Sequence, residues 1–173
     1  MEDLLSRHRG GSLLVDTNLL VLLFVGGFER GLVGRHKRTI GFALEDYDLL
    51  LRFIKLVPNV VTTPHILAEV NSLSGQMGEP KRSEYFRHFA SSIRLLDEHF
   101  ISSESVTEHV HFPKIGLTDS IILALATLGP NVGSKRTTDR LLVLTDDYRL
   151  SNYLDQAGAD YLNFNHIRTL NWT

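Results

Sequence analysis

The chain has 173 residues, 43% of them hydrophobic and 22% charged, with a formal net charge of −2 and no cysteine. That composition fits one ordinary globular domain over 1–173 and argues against disorder, while the missing cysteines exclude disulfides and cysteine-ligated zinc. The small negative charge offers no global attraction to nucleic acid, so any such contact must come from local basic clusters. No apolar run approaches the ~20 residues of a membrane span. The polar start, Met-Glu-Asp-Leu-Leu-Ser-Arg-His-Arg, does not read as a signal peptide. A cytoplasmic protein without membrane contact is therefore expected.

The first strong signal is Ser-Leu-Leu-Val-Asp-Thr-Asn at 12–18. Leu13, Leu14 and Val15 read as a buried strand, and Asp16 ends it. Asp16, Thr17 and Asn18 are all good helix caps, and the apolar run that follows predicts a helix stopped by Gly26 and Gly27. Residues 26–41 are glycine-rich and basic, with Arg30, Arg35, His36, Lys37 and Arg38, and read as an exposed loop. Over 45–57, Leu49, Leu50, Phe53, Ile54 and Val57 have helical spacing.

Asn59-Val-Val-Thr predicts a second strand. Thr63 and Pro64 read as the cap and first residue of a helix over 65–74, ended by Gly75. Ile66, Val70 and Leu73 mark its inner face, and Glu69 borders that face. Residues 81–98 read as a longer amphipathic helix with Tyr85, Phe86, Phe89, Ile93 and Leu96. The stretch 100–110 is weakly patterned. His109 and His111 would share the face of a polar surface strand. Residues 112–117 read as loop. Thr118 then caps an almost wholly apolar helix over 119–128, with Asp119 in its first turn. A polar, basic loop follows at 131–140, with Lys135, Arg136 and Arg140. Leu141-Leu-Val-Leu is a buried-type strand ending at Thr145-Asp146-Asp147. A helix over 148–157, a last strand near 160–164 and a closing helix over 165–172 complete the chain. Strands alternating with helices predict a mainly parallel α/β sheet with helices on both faces.

Each acid alone has an ordinary explanation: Asp16 and Asp147 as helix caps, Glu69 as half of an ion pair. Their order is more telling. Asp16 and Asp146/Asp147 follow strands, while Glu69 and Asp119 sit on the inward faces of helices. A parallel sheet brings strand ends and following helix starts to one edge. Clustered carboxylates repel one another and call for cations. An all-oxygen site favours Mg²⁺ or Mn²⁺ over zinc, and carboxylate-held Mg²⁺ commonly serves phosphate chemistry.

Four stretches, Leu-Leu-Val-Asp-Thr-Asn (13–18), Thr-Thr-Pro-His-Ile-Leu-Ala-Glu-Val (62–70), Leu-Thr-Asp-Ser-Ile-Ile-Leu-Ala-Leu-Ala (117–126) and Leu-Val-Leu-Thr-Asp-Asp (142–147), together resemble the PIN-domain family of metal-dependent nucleases. The resemblance implies a three-layer αβα fold with a five-stranded sheet in the order 3-2-1-4-5. It implies an Mg²⁺- or Mn²⁺-dependent ribonuclease with Asp16, Glu69, Asp119 and an acid of the Thr-Asp-Asp turn as catalytic metal ligands, supported by Thr17 and Asn18. The family's spacing favours Asp147 over Asp146. RNA is the implied substrate, homo-oligomers are common in the family, and its toxin members pair with an antitoxin protein. The long segment 26–47 and the loop at 130–140 depart from the short toxin members. A haloacid-dehalogenase-type phosphatase would need a second aspartate where Asn18 stands. A non-catalytic RNA- or protein-binding relative is the alternative from a different class.

Overall fold

The computed structural model describes residues 2–57, 59–128 and 141–171. Its five strands are β1 (Ser12–Val15), β2 (Asn59–Thr62), β3 (Asp97–Glu98), β4 (Leu141–Thr145) and β5 (Tyr161–Asn163). All neighbours are parallel, in the order β3-β2-β1-β4-β5. This is the sheet order that the resemblance implies. Leu13, Leu14, Val15 and Leu142, Val143, Leu144 are almost completely buried. Continuous apolar runs of this kind mark strands covered on both faces.

The helices are α1 (Glu2–Arg7), α2 (Thr17–Phe28), α3 (Leu44–Leu56), α4 (Pro64–Ser74), α5 (Lys81–Ile93), α6 (Ser103–Thr107), α7 (Phe112–Leu128), α8 (Tyr148–Gln156) and α9 (Phe164–Asn171). A right-handed crossover fixes which face each helix covers. From β1 the chain moves outward to β2 and β3, so the helices between these strands share one face. It then returns past β1 to β4 and β5, so α7 and α8 cover the other. The packing agrees: α2 lies against α3, α4 and α5, and α7 lies against α8. The direction reverses between β1 and β4. Open α/β sheets bind ligands in the crevice beyond the strand ends at that point.

Several local expectations change. Helix α2 does not stop at Gly26 and Gly27 but runs through both to Phe28. A Cβ on Gly26 would stand 2.5 Å from the Tyr47 ring, so that glycine allows α3 to pack closely on α2 rather than ending a helix. The stretch 26–41 is accordingly not a plain exposed loop. It contains the end of α2 and a 3₁₀ turn (Arg30–Leu32), and His36 and Thr39 are buried.

The helix expected over 81–98 ends at Ile93, and Asp97 and Glu98 form the edge strand β3. His109 and His111 stand in the turn between α6 and α7, not on a strand, with ring centroids 5.4 Å apart. The expected loop at 112–117 is largely helical. Gly116, at φ +77° and ψ −171°, breaks α7 just before its apolar part begins. The N-terminal segment also gains a short helix, after which Arg7 and His8 both reach Asp160, at 3.5 and 2.9 Å. The basic loop with Lys135, Arg136 and Arg140 lies outside the described residues, as does the end of the closing helix at Trp172.

Candidate active site at the sheet switch point

Asp16 leaves β1 at the point where the sheet reverses direction. It is 5% exposed. Its Oδ1 accepts the Thr17 backbone N–H at 2.6 Å, the capping role that residue type favours. Its Oδ2 accepts the Thr145 hydroxyl at 2.6 Å. The Thr145 oxygen in turn accepts the Asp147 N–H at 3.0 Å. One buried hydroxyl therefore joins the ends of the two central strands.

Glu69 is delivered by α4, whose start is fixed as expected by the Thr63 hydroxyl, which accepts the Ile66 N–H at 3.2 Å. Glu69 is half-buried and accepts the Thr17 hydroxyl at 3.2 Å. Among the described residues it has no cation as an ion-pair partner. Asp119 comes from the opposite face of the sheet, three residues beyond the break at Gly116. It is half-buried as well.

The two adjacent aspartates after β4 divide their work. Asp147 caps α8, its Oδ1 accepting the N–H groups of Arg149 and Leu150 at 2.6 and 3.2 Å. Asp146 accepts the Asn18 amide at Oδ1, at 3.3 Å. Its backbone carbonyl accepts the Asn165 amide at 2.6 Å. Behind them Asn163 donates to the Ser151 hydroxyl at 2.8 Å, and that hydroxyl donates to the Asp147 carbonyl at 2.8 Å. The turn is thus held from β5, α8 and α9 at once.

The electrostatics show how these acids face one another. Burial pushes Asp16 up to about 7, against the Thr145 hydrogen bond, and the charges of Asp146 and Asp119 raise it further. Burial also pushes Asp119 up to about 6, with Asp147 and then Glu69 adding to the rise and Arg149 opposing it. Asp146 is raised by burial and by Asp147, with the Asn18 hydrogen bond and the Arg168 charge opposing. The five acids expected from the sequence are therefore linked through neighbouring pairs, with Glu69 joined through Asp119. Asp146 acts on Asp16, and Asp147 acts on Asp119.

Among the described residues, no three carboxylates or imidazoles are already drawn together tightly enough to grip one metal ion. The donor set itself suits a hard divalent cation: oxygen only, with several negative charges to neutralise. The charged groups that temper the cluster are Arg149 and Arg168. The exposed basic side chains of the 26–41 stretch, Arg35, Lys37 and Arg38, are not among them. Asn163 and Asn165 carry no mark in the sequence as supports of the Thr-Asp-Asp turn. A cue was available for Arg149, which lies in the first turn after Thr-Asp-Asp. None existed for Arg168, which is brought in only by the tertiary fold.

His65 is placed near this edge by α4 but pairs with the Ser103 hydroxyl at 2.7 Å, an ordinary packing role. Among the described residues no helix is long and apolar enough to cross a membrane. No family model, curated protein or solved structure matches the chain.

Proposed function

We propose that the acidic crevice between β1 and β4 is the active site of a Mg²⁺- or Mn²⁺-dependent ribonuclease, as the resemblance to PIN-domain nucleases implies. One observation carries this reading: Asp16, Glu69, Asp119, Asp146 and Asp147 reach one sheet edge from four separate segments, where burial first, and the charges of neighbouring acids second, raise Asp16 and Asp119 well above the ordinary carboxylate range. A fold retains such unpaired acids at a cost in stability, and a bound cation removes that cost.

Asp16 and Asp119 would hold the principal cation, with Glu69, Asp147 and Asp146 completing its surroundings. When bound there, such a cation would supply Lewis acidity toward a water and toward the leaving oxygen of a phosphodiester. The chain's own groups preset the acids. Thr145 and the Thr17 N–H fix both oxygens of Asp16. The Thr17 hydroxyl turns toward Glu69, and Asn18 holds Asp146. Arg149, next to the cluster, offers positive charge to a phosphate.

The test is cleavage of a labelled RNA by purified protein in Mn²⁺. Wild type should cut it, while Asp16→Asn and Asp119→Asn should not. Equal cleavage by wild type and both variants would reject the assignment. A non-catalytic binding relative would bind RNA without cutting it.

A further inference from the structure

Two exposed rings stand beside the acids without an evident structural purpose. Tyr148 is the first residue of α8, directly after Asp147, and is 54% exposed. His166 is on α9, one position after the Asn165 that holds the Asp146 carbonyl, and is exposed. Their ring centroids are 5.5 Å apart and their planes are tilted by 56°. Both rings are thus anchored to the Thr-Asp-Asp turn, one through the chain and one through Asn165. A large aromatic ring left this open forgoes the burial that usually accounts for its presence. Arg149 follows Tyr148 and is also exposed.

An aromatic surface next to a cation and a phosphate-handling site is how proteins hold unpaired nucleotides. The ring takes the flat face of a base, and the cation meets the backbone. Within a duplex both faces of a base are covered by its neighbours, so such a surface selects single strands.

We propose that Tyr148, with His166 beside it, is the platform on which an unpaired base of the RNA stacks, so that the adjoining phosphodiester is presented to the acidic crevice. This rests on the ribonuclease reading above and adds a base-holding residue outside the acids, with little base preference at the stacked position, because every base offers a π-face.

The test uses the full chain carrying Asp119→Asn, so that RNA survives, and measures binding of a short unstructured RNA and of the same RNA annealed to its complement. Tyr148→Leu should weaken single-strand binding by about 5- to 150-fold, the range expected for losing one stacked base. Tyr148→Trp, which keeps a ring, should retain it, and the duplex should bind weakly throughout. An unchanged melting temperature in Tyr148→Leu would separate this effect from a loosening of α9. Single-strand binding unaffected by Tyr148→Leu, or equal binding of the duplex, would overturn the platform. Cleavage by the otherwise wild-type chain is read in parallel. Cleavage with ring-independent binding rejects the platform alone. Ring-dependent binding without cleavage rejects hydrolysis alone. Neither binding nor cleavage rejects both.

Discussion

Two buried aspartates in this protein are treated in opposite ways. Asp46, in the first turn of α3, is fully buried, and its Oδ2 is held by Arg168 at 2.9 Å and by the Ala43 N–H at 2.8 Å. Asp16, at the end of β1, is nearly as buried, but the charges around it are Asp146 and Asp119. The first is a neutralised structural acid that ties α9 to α3. The second is a buried acid whose nearest charged neighbours repel it. The same residue type is silent in one place and under electrostatic load in the other, and the load falls where the sheet reverses direction. That contrast separates architecture from candidate chemistry more sharply than burial does.

The largest effect should appear in activity. Asp16→Asn or Asp119→Asn should lower Mn²⁺-dependent RNA cleavage by more than about a hundredfold, since even residues supporting metal ligands cost 10–100-fold. The corresponding Asp46→Asn should cleave normally wherever it is folded, measured by initial rates at matched folded fraction.

Next comes the cost of removing a cation from the paired acid. Arg168→Ala leaves Asp46 buried and uncompensated. The pair is partly open to solvent on the arginine side, so a destabilisation of about 2–3 kcal/mol is expected in urea unfolding, below the range for a fully buried pair. Adding Asp46→Asn should recover part of it. For Asp16 the sign reverses. Its carboxyl is raised in the fold to about 7 from an ordinary 3.8, so the folded chain binds this proton more tightly than the unfolded chain does. The stability it contributes is present below about pH 4 and is lost as pH rises through about 7. Asp16→Asn should therefore stabilise the metal-free protein above pH 7, by about 2–4 kcal/mol at most, and should be close to neutral near pH 4. Unfolding at the two pH values measures this.

The smallest of these effects concerns the hydroxyl between the central strands. Thr145→Val keeps the shape of the strand end but removes the donor to Asp16 and the acceptor for the Asp147 N–H. A loss of about 1–3 kcal/mol is expected, together with a further rise in the pH at which the Asp16 carboxyl titrates. NMR of the Asp16 carboxyl carbon would follow that shift directly.

The contrast between the two aspartates also shows what a linear reading can reach. Strands β1 and β4 were plain because doubly covered parallel strands are apolar over most of their length, and β2 was marked by Val60 and Val61 between polar ends. Thr63 and Asp147 were plain because capping is local chemistry. By contrast β3 is two exposed acidic residues at a sheet edge, with no apolar pattern to announce it. Gly26 looked like a helix stop, yet the close approach of Tyr47 gives that glycine a packing role. Around the acids, the residue types and their order pointed to a common edge. The Thr145 link, the amides of Asn18 and Asn165 and the Arg168 charge depend on which side chains the fold brings together. Nothing local to Asp46 or Asp16 says which of them meets an arginine and which meets other acids.

The most direct measurement is the melting temperature of the metal-free protein at pH 8, with and without Mn²⁺, for wild type, Asp16→Asn and Asp119→Asn. A cation at about a hundred times its dissociation constant adds about 2.7 kcal/mol, or about 5–10 °C for a domain of this size. Wild type should gain that increment, and both variants should lose most of it while starting from a higher metal-free value. A wild type unmoved by Mn²⁺, or variants that gain as much as it does, would contradict the claim that the acids at the switch point form one cation site.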